Sequence, residues 1–402
     1  MGGKTYTTSA SSYDGTNSLW RSEWGSGGLY ETTDTRDVHF KFLGDATIIS
    51  ATGLTDNTST PQHYAVTRDS SIVTTNYKVH TFTTTGTSTF QVTAGSGDVD
   101  YLIVGGGGAN LYGSGGTDGV GSGAGAGALR TSFSGSTNGG GASLDSPYAV
   151  TAQSYTVTVG DGATSATSGN TDGEDSIFGS ITANGGTGGT SGTNIDASTP
   201  NGNASGAGAG TTGSSTLTSG GDGGTYGYGG GSIVERGWWY SGAGGGGAGG
   251  IGGDPSGGVG SSSNSSSAKG GDGGEGIANS ITGTAVMYAG GGAAGTHQSD
   301  GTGGVGGSGI GGNGGGDGTN DGSDGAVNTG SGAGGGTWSG ASGDGGSGIV
   351  VIRYVDDGSI TATGGTVTTL SEQANWNIYQ NGVVVGSSLD TTTSLGANAV
   401  TG

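Results

Sequence analysis

The sequence predicts an all-β to irregular fold with almost no helix, in which β-strands flank a bundle of glycine-rich, polyglycine-II-like segments. Three observations carry this. Gly supplies 104 of the 402 residues and Pro only 4, a glycine excess outside globular usage but without the proline of a collagen helix. No segment keeps a helical hydrophobic period, and the Ser, Thr and Gly content opposes helix nearly everywhere. Within the clusters glycine recurs three apart, at Gly303, Gly306, Gly309, Gly312, Gly315 and Gly318, and again at Gly244, Gly247, Gly250 and Gly253. Three residues per turn is the period of a polyproline-II-type helix.

Such a helix has no internal hydrogen bonds, so its amides must be met by neighbouring backbones, which glycine edges allow to approach. Ordering glycine is entropically expensive, and the competing structure is a loose low-complexity linker. Against the linker, the tracts are interrupted by Trp, Tyr, Ile and Val. They end in the buried-strand pattern Ile349-Val350-Val351-Ile352-Arg353-Tyr354. The sequence therefore predicts that Gly303 to Gly318 is one extended segment packed against others like it.

Taken in chain order, residues 1–76 are the least glycine-rich and read as an N-terminal β region for attachment or oligomerisation. There Val38, Phe40 and Phe42 alternate with His39 and Lys41. Residues 77–354 form the glycine-rich domain with variable loops. Its opening segments, 77–84 and 88–92, flank Gly86 and read as a hairpin; 99–104 runs straight into four glycines, and 154–159 alternates strictly. Residues 355–402 read as a small β appendage, with two strands joined by the type I′ turn signal Asn381-Gly382.

Ten Lys and Arg face 31 Asp and Glu, a formal net charge of -21, and between residues 109 and 348 the fixed cations are Arg130, Arg236 and Lys269. This balance repels phosphate backbones and anionic membranes, and reads as a soluble, self-repelling surface. No nucleic-acid partner is expected. The longest aliphatic run, 349–352, is too short to cross a bilayer, so no membrane insertion is expected either. The start Met1-Gly2-Gly3-Lys4-Thr5-Tyr6 has no secretory apolar stretch and misses the myristoylation pattern. With no Cys the chain has neither disulfides nor thiolate metal ligands.

Catalytic patterns are lacking. His39, His63, His80 and His297 are scattered without metal-ligand spacing, and the glycine runs lack the Lys-Ser/Thr of a phosphate loop. Asp356-Asp357 reads as a solvated pair rather than the two carboxyls of a glycosidase. The expectation is a non-enzyme without cofactor. The loop from Asp317 to Asp324 crowds oxygen ligands like the opening of an EF-hand, but Asn328 stands where the bidentate Glu belongs, and an acidic turn without metal is the simpler reading.

The aromatic loops are the candidate binding residues. Trp238, Trp239 and Tyr240 are consecutive between glycine tracts, and Tyr226, Tyr228, Tyr288 and Trp338 occupy comparable places. Consecutive side chains of an extended backbone alternate in direction, so some must be exposed. Flat apolar faces with a polar handle suit sugar rings or a protein receptor. The alternative is that they shield the lattice ends or fill a subunit interface.

The ordered elements resemble the glycine-rich domain of tail proteins and adhesins of tailed bacteriophages. The resemblance runs through Thr81-Phe82, Phe90-Gln91-Val92 and Val99-Asp100-Tyr101-Leu102-Ile103-Val104 with Gly105 to Gly108. It continues through Ser154 to Gly160 and Asp175-Ser176-Ile177-Phe178-Gly179, and closes at Gly345 to Tyr354. It implies a virion protein whose glycine lattice carries variable loops for host recognition. Its partners would be other virion proteins and a host cell-surface glycan or outer-membrane protein, with homo-oligomeric assembly. A capsid or tail decoration protein with no receptor role is the alternative, and a polysaccharide depolymerase a more distant one. The first 76 residues and the C-terminal hairpin lie outside the resemblance.

Overall fold

The computed structural model describes residues 75–110, 120–166, 171–189, 202–210, 219–233, 241–256, 268–296, 301–316, 321–337 and 340–372, together with the backbone of strands outside those ranges. The chain divides into two compact units, Met1–Asn76 with Leu370–Gly402, and Tyr77–Thr369.

In the first unit β1 (Ser11–Tyr13) pairs with β2 (Trp20–Ser22), β3 (Leu29–Thr32) pairs with the start of β6 (Gln62–Phe82), and β4 (Val38–Lys41) pairs with β5 (Ile48–Thr52), all antiparallel. The second unit is built on β7 (Gly86–Val104), β8 (Leu129–Thr131), β9 (Tyr148–Thr151), β10 (Ser154–Val159), β11 (Ser176–Phe178) and β12 (Ile181–Ala183). A separate hairpin of β13 (Ile277–Asn279) and β14 (Val286–Tyr288) follows, then β15 (Ile349–Val355) and β16 (Ile360–Thr363). β16 pairs with β7, which ties the chain beyond Tyr354 to this unit. Farther on, β17 (Thr366–Gln380) and β18 (Val383–Asp390) pair antiparallel with Gln380 opposite Val383; the Asn381-Gly382 turn itself lies outside the described residues. β19 (Val400–Thr401) adds to β5 in parallel. Among the described residues, helix is confined to two single 3₁₀ turns, so the fold is all-β as the composition predicts.

One pairing differs from expectation. β6 and β7 do not form a hairpin; the order is β12-β11-β10-β7-β15-β6, with β15 between them. Val350 lies opposite Phe82 on one side and Ile103 on the other. The cause is the all-apolar run at 349–352, buried on both faces, which needs a strand on each side to satisfy its backbone.

The sheet core is conventional. Phe90, Val99, Tyr101, Ile103, Val157, Val159, Phe178, Val350 and Ile352 form one buried cluster. Phe90 meets Phe178 edge-on at 6.0 Å and His80 at 5.0 Å, arrangements that aromatic quadrupoles favour. His80 is fully buried. Its Nδ1 lies 2.7 Å from the Gly364 carbonyl, which can only accept, so Nδ1 carries the proton and Nε2 accepts from the Tyr354 hydroxyl at 3.2 Å. Burial, and secondarily the Lys78 charge, hold this imidazole below its usual range and so keep it neutral.

Beyond the strands the chain becomes a backbone lattice. From Val104 the residues 105–109 donate in turn to Ala128, Glu174, Gly346, Gly125 and Thr171 carbonyls. Residues three apart therefore return to the same neighbour: Gly105 and Gly108 to one segment, Gly106 and Ala109 to another. That is the three-residue period of the sequence converted into three bonding directions.

Residues 120–128 occupy a full lattice position. They donate to segments 330–336, 243–246 and 184–187, and accept from 105–108, 205–208 and 292–295. Segments 241–248, 289–296 and 330–337 are packed in the same way, and all four are buried although their largest interior side chains are mostly Ala, Ser and Thr. The lattice has no room for a Cβ at its glycines. One built on Gly292 would lie 1.8 Å from the Ala333 carbonyl oxygen, and one on Gly125 would lie 2.2 Å from that of Ser205.

The tract at 303–318 is not one segment. Gly306 ends a first stretch, a tight turn follows with Ser308 at φ 52 and Gly309 at φ 70, and 310–316 runs back. A Cβ on Gly309 would meet nothing within 4 Å, whereas one on Gly312 would meet the Ser323 carbonyl oxygen at 2.1 Å. The regular spacing of glycine thus runs through a turn, where glycine serves φ rather than packing.

Candidate functional site

The lattice has two unlike ends. At one, segments merge into the sheet: 105 follows β7, 128 precedes β8, 184 follows β12 and 348 precedes β15. At this level Gly105 bonds Ala128, Ala128 bonds Asn184, Gly127 bonds Gly330 and Ala248 bonds Ala289. At the other level Gly121 bonds Gly336, Gly295 bonds Gly121, Gly242 bonds Gly295, Thr296 bonds Gly315 and Ala209 bonds Gly231. Bridges join Asn110 to Gly189, Ser241 to Thr296, and Lys269 to both Ser256 and Thr302.

Following the chain, eight described segments reach this far end and the next described segment begins there, after residues 110, 166, 210, 233, 256, 296, 316 and 337. At the sheet end, tight turns close the segments at 249–251, 307–309 and 327–329. At about 3.1 Å per residue, a segment of eight residues holds the two ends about 25 Å apart.

The far end finishes in a layer of buried hydroxyl and amide groups. Asn110, Ser122, Thr187, Ser241, Thr296 and Thr337 are each at most 4% exposed. The Asn110 amide reaches the Ala333 carbonyl at 3.4 Å. Ile233, 4% exposed, packs with Ala209 and Ala243 just below the connection to Ser241. This end is buried up to its rim, and within the layer Asn110 Oδ1 and Ser241 Oγ have no hydrogen-bond partner.

The aromatic candidates separate between the ends. Trp238, Trp239, Tyr240 and Trp338 lie outside the described residues; their flanks, Ile233 with Ser241 and Thr337 with Gly340, stand at the far end. Tyr226, Tyr228 and Tyr288 are at the sheet end. Tyr226 packs against the sheet core with the Arg130 guanidinium 4.6 Å from its ring centre. The amide of Tyr228 bonds the Gly247 carbonyl, and its half-buried side chain lies near Gly141. Tyr288 is only 3% exposed in β14, and burial raises its hydroxyl pKa. A ring so buried cannot contact a receptor, and these three tyrosines are not part of the far-end surface. Their glycine-flanked sequence setting resembles that of the tryptophans, but it belongs to the opposite turn of the same lattice.

No group of three or more His, Asp or Glu able to hold a metal occurs among the described residues. In the acidic loop, 317–320 lie outside the described residues, while Asp321 and Asp324 accept the Ala341 and Asp344 amides at 2.7 and 2.8 Å. Asp356 pairs with Lys78 at 3.2 Å; Asp357 accepts the Ser359 amide, and the Ser359 hydroxyl first and this amide second lower its pKa. These adjacent acids therefore do not face each other across a cleft. His39, His63 and His297 lie outside the described side chains.

A polar network escaped the sequence reading. Arg130 binds Asp145 through Nε at 2.9 Å and Nη2 at 2.8 Å; the Tyr101 hydroxyl donates to the same carboxylate at 2.8 Å, and Asn138 donates to its other oxygen at 3.1 Å. Burial first, and then the Asp145 hydrogen bond, raise the Tyr101 pKa. The network fastens residues 138–145 over β7 and β8. Its members are spread from 101 to 145 without a motif, so only folding brings them together. Arg353, facing Asp100 across the strands, is clamped by the rings of Tyr77 at 3.7 Å and Phe133 at 5.0 Å.

No curated protein matches the sequence. A family model described as a glycine-rich domain matches residues 83–355, from the approach to β7 through the last residue of β15. The match contains the lattice and the strands into which it merges, about two thirds of the chain. The chain belongs to this glycine-rich domain family.

Proposed function

We propose that the protein is a non-enzymatic bacteriophage virion protein, a tail-fibre or adhesin component that contacts a host cell-surface glycan or outer-membrane protein. The observation that carries the reading is the gathering of eight chain connections at the lattice end away from the sheet. A backbone lattice tolerates almost no change inside, so variation is confined to its connections, and recognition residues belong on loops held by a rigid scaffold. In this reading Trp238, Trp239, Tyr240 and Trp338 supply the contact. The unit containing residues 1–76 attaches to other virion proteins or forms a homo-oligomer, and the chain acts on the particle outside the cell. The phage assignment itself rests on the resemblance of the strand and glycine motifs.

The test is host-cell binding by a Trp238→Ala, Trp239→Ala double variant, with its melting curve and oligomer size measured alongside. The expected result is a loss of about 2 kcal/mol or more in binding, as for aromatic hot spots, with melting unchanged. Normal binding together with impaired folding or assembly would favour a decoration protein with no receptor role.

A further inference from the structure

Three pairs of acidic residues in the lattice follow its period. Asp172 and Asp175, three apart, accept the amides of Gly188 at 2.7 Å and Gly185 at 2.9 Å, three apart in the opposite direction. Asp321 and Asp324 accept those of Ala341 and Asp344. Asp272 accepts the Val305 amide at 2.8 Å, and Glu275, three residues on, accepts the Ser308 hydroxyl. Between the caps the ordinary lattice bonds continue, Gly173 to Gly186, Gly322 to Ala341 and Gly273 to Val305.

All three pairs share the pattern Asp-Gly-x-Asp/Glu, as Asp172-Gly173-Glu174-Asp175, Asp272-Gly273-Gly274-Glu275 and Asp321-Gly322-Ser323-Asp324. A spacing of three places both carboxylates on one edge of a three-residue-per-turn helix. The four central segments, 120–128, 241–248, 289–296 and 330–337, contain no Asp or Glu. The capping acids are half-buried or exposed, at the periphery.

A lattice of this kind has no intrinsic boundary. Every outer segment offers amides at a regular spacing, as a sheet edge does, and another copy's segment could meet them with carbonyls of the same period. A side-chain acceptor reaching such an amide satisfies it before a carbonyl of another copy can, and so closes the edge. We propose that the Asp-Gly-x-Asp/Glu pairs are lattice terminators, and that the edge they close is otherwise an interface for a second copy of this chain. Neutral acceptors fill the same position elsewhere: Asn313 Oδ1 accepts the Gly306 amide at 2.8 Å and Ser232 Oγ that of Gly220 at 3.0 Å. The capping role thus requires an acceptor and not a charge.

That distinction sets the test. The full chain is made with Asp172, Asp175, Asp321 and Asp324 all changed to Ala, and separately all to Asn, which keeps an acceptor oxygen but removes the charge. Amide exchange at Gly188, Gly185, Ala341 and Asp344 is followed at high dilution, and mass by light scattering against concentration. The Ala set should exchange at these amides faster by about tenfold or more and associate beyond the parent as concentration rises, while the Asn set behaves as the parent. An Ala set matching the parent in either measurement, or an Asn set that associates like the Ala set, would overturn the proposal. The second result would assign the acids to charge repulsion. Should the Ala set fail to fold, single Asp324→Ala and Asp324→Asn variants decide by exchange at Asp344. Fast exchange in Ala alone supports capping, and any other outcome rejects it.

Discussion

The sheet and the lattice of the second unit are held together by different physics within one chain. Around Phe90 the sheet buries aromatic and branched side chains in one cluster, and its stability comes from apolar area and close packing. Around Gly292 the lattice buries backbone. It removes few apolar atoms from water and depends on inter-segment N–H to C=O bonds at 2.7 to 3.4 Å. Each such bond has a modest net value, but a missing one leaves a buried polar group unpaired. The two regions should therefore fail differently: the sheet by graded loss as side chains shrink, the lattice abruptly as any side chain grows.

The largest effect is expected from one added methyl group in the lattice. Gly292→Ala forces a Cβ to within 1.8 Å of the Ala333 carbonyl oxygen and should destabilise by more than about 4 kcal/mol. Gly309→Ala, at φ 70 with open space around it, should cost only about 1 to 2 kcal/mol. Thermal unfolding of the pair measures the contrast, and equal losses would mean that the lattice yields like an ordinary core.

Next in size, Phe90→Ala should cost about 3 to 5 kcal/mol while leaving amide protection at residues 241–248 intact. Loss of protection in both regions together would show that the sheet and lattice unfold as one.

The smallest effect is a pH response confined to the sheet. Because burial lowers the folded-state pKa of His80, the unfolded chain binds the extra proton between that value and the unperturbed one near about 6.5. Stability from this group is full above the unfolded pKa and falls as pH drops through it, levelling below the folded pKa. Lowering pH from about 7.5 to about 5.5 should reduce Tm by on the order of a few degrees. His80→Gln should remove that part of the response, as calorimetry at the two pH values would show.

Much of this architecture was legible in the residues. The three-residue glycine period, the apolar run at 349–352 and the alternation at 154–159 predict the lattice, its closing strand and β10. Local pattern determines them because each depends on neighbours a few residues away. The sequence also contained the Asp-Gly-x-Asp/Glu spacing, which reads as scattered acidity or a calcium loop until the helical period of its own segment is applied to it.

Other features were decided by tertiary structure alone. The insertion of β15 between β6 and β7 joins strands more than 240 residues apart, a choice set by where the lattice returns the chain. The placing of Tyr226, Tyr228 and Tyr288 at the sheet end, opposite the flanks of Trp238 to Tyr240, depends on the direction in which each segment runs. Glycine flanks are the same whichever way a segment points. By itself the sequence determined that a glycine lattice joined to strands would form, because period and composition are local. Which end carries the contacts, and which glycines are packed rather than merely turned, depends on long-range backbone bonding that no local pattern encodes.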